Sequence, residues 1–176
     1  LLYSASEIDL LDEAGVAMHP YLAKLGPDAL DPELTQDEIR VRLEDPRFSR
    51  RSLGALLLDQ SFVAGLGNYL RSEICFDARV HPAARPVDLE AKARRRLARA
   101  VLTMTRRAYD TGGVTLPKTR AQALRRAGSS WRRARHWVFA RKGEPCRRCD
   151  ERIERFDLAG RRVYVCSACQ PAAERV

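Results

Sequence analysis

No apolar run in this chain approaches the ~18 residues that a membrane-crossing helix needs, so none is expected. No basic leader with an apolar stretch opens it, and its first residue is Leu1 rather than Met, so no signal peptide is read. Internal repeats and low-complexity tracts are lacking, and composition is ordinary for a globular protein, which excludes fibrous and disordered classes. Cysteine is scarce. Of five, Cys146, Cys149, Cys166 and Cys169 fall into two CxxC pairs and Cys75 stands alone. That pattern fits metal ligation in a reducing cytoplasm better than a disulfide framework.

Acidic residues become sparse after the first fifth of the chain. Residues 1–34 hold a single basic residue, Lys24, against seven acidic ones, whereas 35–176 hold 31 basic and 16 acidic residues. The net charge of +9 is therefore concentrated in the second part. It is either a solubilising surface or a face for a polyanion, and the predominance of Arg over Lys suits bidentate phosphate contacts.

The opening LLYSASEIDL reads as a strand whose sheet partners lie elsewhere, and HPYLAKLGPDALDPELT reads as an ordered linker. Thr35 and Glu38 form a capping box for a helix to about Leu43, stopped by Pro46. Ser49 is a candidate cap for a helix carrying Leu53, Leu56 and Leu57 and ending near Gln60. Asn68 to Ala78 reads as a further helix. Asp88 is expected to cap a long one, with Leu89, Ala93, Leu97, Val101, Met104 and Ala108 on its apolar face and Gly112 and Gly113 ending it. Lys118 to Trp137 contains seven Lys or Arg, no acid and little periodicity, and reads as a mobile basic loop. HWVFAR, RIERF and RRVYV read as short strands.

The cysteines of GEPCRRCDERIERFDLAGRRVYVCSACQ follow C-x2-C-x16-C-x2-C. Two such knuckles facing across a hairpin, with its turn at Ala159–Gly160, make a closed tetrahedral thiolate site suited to one structural zinc ion. Cys75, unpaired within a helix, reads as a small buried apolar residue. Arg161 and Arg162 directly follow the hairpin turn, which makes them either solvated turn residues or phosphate contacts held rigid by the metal.

FVAGLGNYLRSE interrupts a helical pattern with Gly65, Gly67 and Asn68. The glycines allow close approach of a ligand to the backbone, and the next helix begins at Asn68 with free N–H groups and a positive dipole end. Asn68 is either a plain N-cap after a packing turn or part of a phosphate seat that positions nucleic acid without reading its sequence. His19, His81 and His136 read as solvated, non-catalytic residues. Trp131 and Trp137 stand among arginines, where they either stack on bases or pack the finger against the helices.

LLLDQSFVAGLGNYLRSEI, ahead of four cysteines ending in GRRVYVCSACQ, resembles the formamidopyrimidine-DNA glycosylase and endonuclease VIII family. HPYLAKLGPDALDP resembles the interdomain linker of the endonuclease VIII branch. The resemblance covers nearly the whole chain except 118–137. It implies a mainly α fold with a small β zinc finger. A remnant of an N-terminal β-sandwich and a linker (1–34) would precede a helix–two-turn–helix domain (35–137), and a four-cysteine zinc-ribbon hairpin (138–172) would follow.

Carried onto this sequence, Asn68 and Gly67 match the family's phosphate-binding turn. Arg161 matches the zinc-finger arginine that grips phosphate near the lesion and is assigned to δ-elimination. Lys24 falls at a DNA-contacting linker position, and Glu73 matches a glutamate near the active site. The segment 118–137 lies where relatives carry a loop beside the flipped-out base. The implied partner is double-stranded DNA with oxidised bases or abasic sites, met by a monomer in the bacterial cytoplasm. The family's nucleophile, an N-terminal proline followed by glutamate, has no counterpart here, so the chain resembles the C-terminal portion of such an enzyme. The alternative is a non-enzymatic zinc-containing nucleic-acid-binding module.

Overall fold

A computed structural model describes residues 8–172. The strand expected over residues 1–10 lies mostly outside them, and residues 8–12 form no strand. A short helix follows that the sequence did not announce. It is α1 (Glu13–Met18), started by Asp12, whose carboxylate accepts the Gly15 N–H at 2.7 Å. The linker beyond it holds a 3-10 turn at Leu22–Lys24 and then pairs with a distant loop. The Gly26 N–H donates to the Gln60 carbonyl, and Ala29 and Ala64 N–H groups donate to Ala64 and Pro27. A side chain at Gly26 would sit 2.7 Å from the Ser61 and Phe62 carbonyl oxygens, so this contact requires glycine.

The helical core follows. In α2 (Gln36–Glu44) the expected capping box forms in both directions. Glu38 N–H donates to Thr35 Oγ1 at 3.2 Å, and Thr35 N–H donates to the Glu38 carboxylate at 2.8 Å. Replacing Thr35 with alanine is expected to cost about 1 kcal/mol, read as a lowered denaturant midpoint with unchanged slope. An unmoved midpoint would show that packing alone sets this helix start.

Pro46 ends α2 and also opens the next helix, α3 (Pro46–Ser49), at a position where its missing N–H is harmless. Ser49 therefore closes a helix rather than capping one. Asp45 caps α3, and Ser52 stands at the start of the short α4 (Leu53–Leu56). α5 runs Asn68–Ala78, as the sequence indicated. α6 runs Ala91–Asp110, but its N-cap is Glu90. Asp88 sits one turn earlier and is tied to Arg85. Ile39 and Leu43 of α2, Leu70 and Ile74 of α5, and Leu97, Val101 and Met104 of α6 form one buried core with Leu53, Leu56 and Phe62.

Two sequence expectations fail in the second half. Lys118–Arg126 is a helix, α7, not a loop. Its apolar stripe is short, with Ala121 and Leu124 packed on a second core, which hid its period. HWVFAR is a run of bends and turns rather than a strand, because its amides bond to a buried carboxylate instead of to a neighbouring strand. β1 (Ile153–Leu158) and β2 (Arg161–Cys166) form the expected antiparallel hairpin, with Leu158 opposite Arg161. Ala159 and Gly160 both take positive φ, at 53° and 70°, as a two-residue hairpin turn of matching twist requires. The second core joins Phe76, Leu116, Trp137 and Val138 to Cys146, Ile153, Tyr164 and Cys166, so the finger packs directly on α5 and its neighbours.

Candidate nucleic-acid interface

The chain before α5 is stitched by Gln60. Its amide nitrogen donates to the Leu58 and Leu66 carbonyls at 3.1 Å, and its oxygen accepts the Gly65 N–H at 2.9 Å. Gly65 has φ +87°, the left-handed conformation that favours glycine. Gly67 differs. Its backbone is extended, and a Cβ there would meet no atom within 4 Å. Nothing in the protein therefore demands a glycine at 67; the space it leaves opens outward beside the start of α5.

Gly67 is the N-cap of α5 and supplies no side-chain cap. The first helical bond runs from the Arg71 N–H to the Gly67 carbonyl, leaving the N–H groups of Asn68, Tyr69 and Leu70 without helical partners. Asn68 is the first residue of the helix rather than its cap. Its oxygen accepts from Arg71 Nη2 at 2.8 Å, and its Nδ2 donates to the Arg162 carbonyl at 3.3 Å. That pattern fixes which end of the amide is nitrogen and leaves a second Nδ2 hydrogen free of those partners.

The Asn68 turn and the Arg161 hairpin are thus neighbours in space. They are joined mainly through Arg71, which sequence reasoning passed over. Its guanidinium donates at 3.0 Å to the carbonyls of Gly54, Leu158, Arg161 and Arg162, and to Asn68 as above. Arg161 and Arg162 are exposed, while Tyr164 two residues on is buried, its N–H donating to Ser72 Oγ at 3.2 Å.

The four cysteine sulfurs lie within 4.8 Å of one another, with Cys146–Cys169 at 3.9 Å, Cys149–Cys166 at 3.4 Å and Cys149–Cys169 at 3.5 Å. Zn–S bonds of about 2.3 Å in a tetrahedron separate sulfurs by roughly 3.8 Å, so the donor set and spacing fit one structural zinc ion. Cys75 is buried, and burial pushes its thiol up to about 12, as expected of an inert core residue.

Glu73 is completely buried. Its carboxylate accepts the N–H groups of Trp137 at 2.8 Å and of Val138 and Phe139 at 2.9 Å, together with the Thr115 hydroxyl. Burial raises its pKa while those four donors pull it down. Every oxygen is thus engaged inside the protein. His136 is likewise no solvated turn residue. It is 5% exposed, its ring lies against Tyr69 and Phe139, and burial lowers its pKa to about 4, so it is a neutral core residue. Trp137 is buried, whereas Trp131 is 48% exposed with Arg135 over its ring.

Lys24 is exposed on the rim of a cleft of about 660 Å³ that it shares with Arg42, Arg47 and Arg51. Arg42 is spent on the Ser61 and Phe62 carbonyls, Arg47 on Asp45 and Arg51 on Asp59. Among the described residues Lys24 makes no ion pair, and the linker carrying it is zipped to residues 60–64, just before the glycine turn.

This arrangement is a helix–two-turn–helix domain joined to a four-cysteine zinc finger. The profile described as "Formamidopyrimidine-DNA glycosylase H2TH domain" matches residues 25–119, and "Zinc finger found in FPG and IleRS" matches 143–172. The chain belongs to the formamidopyrimidine-DNA glycosylase and endonuclease VIII family. It is 42% identical over 170 residues to Endonuclease 8 of Shigella sonnei and of Escherichia coli K12, covering 97% of this chain and 61% of each relative. It thus spans roughly three-fifths of the length of the curated relatives it matches. MutM (Fpg) of Thermus thermophilus superposes with TM-score 0.70 at 34% identity, over 88% of this chain and 57% of that one. Lactococcus lactis Fpg in complex with abasic-site DNA superposes with TM-score 0.73 at 24% identity, over 92% and 57%, and shares the fold. Both profiles leave out 120–142, which holds most of the basic segment to which the family resemblance does not extend.

Proposed function

We propose that this chain is the DNA-gripping part of a base-excision repair enzyme. The enzyme would be a DNA glycosylase and abasic-site lyase of the endonuclease VIII branch, working on DNA in the bacterial cytoplasm. The observation that carries this reading is the hydrogen-bonded union of the Asn68 helix start with the zinc-clipped Arg161 hairpin. A free helix N-terminus, an amide donor and an exposed guanidinium are the groups that hold phosphodiester oxygens. The family resemblance gives the substrate class, duplex with an oxidised base or an abasic site, and the Lactococcus lactis Fpg structures that superpose on this chain hold abasic-site and FAPY-dG DNA.

Each residue then has a role. Asn68 and the open backbone at Gly67 seat one phosphate, Arg161 grips phosphate near the lesion and assists δ-elimination, and Lys24 adds a linker contact. Glu73 serves the site from within by fixing residues 137–139. Residues 35–137 and 138–172 act as one grip because they share a core. The protein acts as a monomer. The Pro-Glu start that attacks the sugar in this family is not among these 176 residues. Attack at C1′, Schiff-base formation and base release belong to that segment.

The test is binding of the chain to a duplex with a tetrahydrofuran abasic site, followed by anisotropy across a salt series. Tight, salt-dependent binding is expected, and Arg161→Ala should weaken it about 10- to 100-fold, the worth of one charge-assisted contact. The salt slope should fall by about one unit. Gly67→Ala should leave the melting temperature nearly unchanged and still weaken binding. Borohydride should trap no adduct with an aldehydic abasic site. Salt-independent binding or an indifferent Arg161→Ala variant would overturn the DNA reading. An adduct mapped to one residue would place the nucleophile in this chain.

A further inference from the structure

Arg71 is 0% exposed, yet among the described residues it makes no ion pair. Its five acceptors are all dipoles: the backbone carbonyls of Gly54, Leu158, Arg161 and Arg162, and the Asn68 side-chain oxygen. Burying an uncompensated cation is expensive, and a well-packed apolar side chain generally fills such a place at less cost. The location of the acceptors is informative. Three carbonyls come from the two ends of the hairpin turn, and the side-chain oxygen comes from the helix start that faces the same surface. One planar group therefore sets the position of both. It also turns the Asn68 oxygen inward, so that Nδ2, which donates once to the Arg162 carbonyl, keeps its second hydrogen for an acceptor outside.

The adjacent geometry agrees. Arg161 and Arg162 use their carbonyls on Arg71 while their own side chains stay exposed. The buried charge lies directly behind a helix N-terminus, so the two fields add on the side where Gly67 leaves open space.

We propose that Arg71 is a positioning residue that locks Asn68 and the Arg161 hairpin into a single preformed clamp for the DNA phosphodiester backbone. The clamp rests on the DNA reading above. It predicts that phosphate affinity depends on Arg71 through Arg161 and Asn68, not through general stability. Lysine at this position keeps the charge but lacks the fork that reaches carbonyls on three segments.

The experiment is a double-mutant cycle on the zinc-loaded full chain, with the tetrahydrofuran duplex as probe. Arg71→Lys is expected to weaken binding about 10-fold in the native background and about 3-fold once Arg161 is alanine and only the Asn68 half of the clamp remains to be lost, as interacting neighbours require. Hydrogen exchange without DNA should quicken at residues 158–162 in Arg71→Lys and stay unchanged in the middle of α6. Equal losses of affinity in both backgrounds, or unchanged exchange at the turn, would overturn the clamp. If Arg71→Lys does not fold, Asn68→Ala with Arg161→Ala forms the cycle; the clamp requires these two to be non-additive, and additivity overturns it. Failure of the native chain to bind any duplex is a separate result, which removes the DNA reading and the clamp with it.

Discussion

Replacing Glu73 with alanine is expected to destabilise the protein by about 4 kcal/mol, in the range reached only when a buried network is broken. Among the described residues the carboxylate is the sole partner of three consecutive backbone N–H groups, at Trp137, Val138 and Phe139, and it also takes the Thr115 hydroxyl. Removing it orphans buried donors that each cost about 1–3 kcal/mol when unsatisfied. Water entering the space left by the side chain offsets part of that sum. Glu73→Gln is expected to lie between, at about 2 kcal/mol, because an amide keeps one accepting oxygen but turns an NH2 toward a donor. Equilibrium denaturation at fixed zinc measures both. A loss below about 1 kcal/mol for the alanine variant would show that residues 136–141 hold their course through packing of Trp137 and Val138 alone.

The same residue shows where the sequence was readable and where it was not. Signals that act within a few residues were legible. The Thr35–Glu38 box, the bounds of α5 and the Ala159–Gly160 turn each depend on neighbours in the chain. The C-x2-C-x16-C-x2-C spacing also determined its own outcome, because two tight knuckles leave few arrangements other than facing each other. Residues 136–141 misled because aromatic and β-branched side chains were weighed without knowing that Glu73, 64 residues before Trp137, takes their amides. α7 was hidden for a related reason: its charged residues are exposed and its apolar side is narrow, so no period stood out. Ser49 and Asp88 are plausible caps by type, but Ser52 and Glu90 stand at the starts of the helices they were expected to cap.

At the site, Asn68 and Arg161 were legible as separate phosphate candidates, but not as hydrogen-bonded neighbours. Arg71 carried one weak signal. It occupies a helix buried on nearly every side, where Leu70, Ser72, Ile74, Cys75 and Phe76 are all enclosed, and a charge in such a helix must find oxygen somewhere.

Removing zinc is expected to unfold the finger while sparing the helical core, and this asymmetry follows from which residues form each core. The core of α2, α5 and α6 contains no residue beyond Ala108. The second core contains two of the thiolate ligands, Cys146 and Cys166, beside Ile153 and Tyr164. A lone two-stranded hairpin is marginal in water, and structural zinc contributes on the order of 10–16 kcal/mol in finger peptides. Chelation should therefore abolish amide protection across β1 and β2 and leave most of the helical circular dichroism. Cys146→Ser, at a buried ligand, should mimic chelation more fully than Cys149→Ser, at an exposed one. Loss of the hairpin also strips Arg71 of the Leu158, Arg161 and Arg162 carbonyls, leaving a buried cation with Gly54 and Asn68 alone. The start of α5 should then loosen although no zinc ligand lies within it, and abasic-duplex affinity should fall by more than Arg161→Ala alone removes. If chelation costs only what Arg161→Ala costs, the finger is a carrier for one arginine. A larger loss, with faster exchange at Asn68–Arg71, means the metal holds both halves of the grip through Arg71.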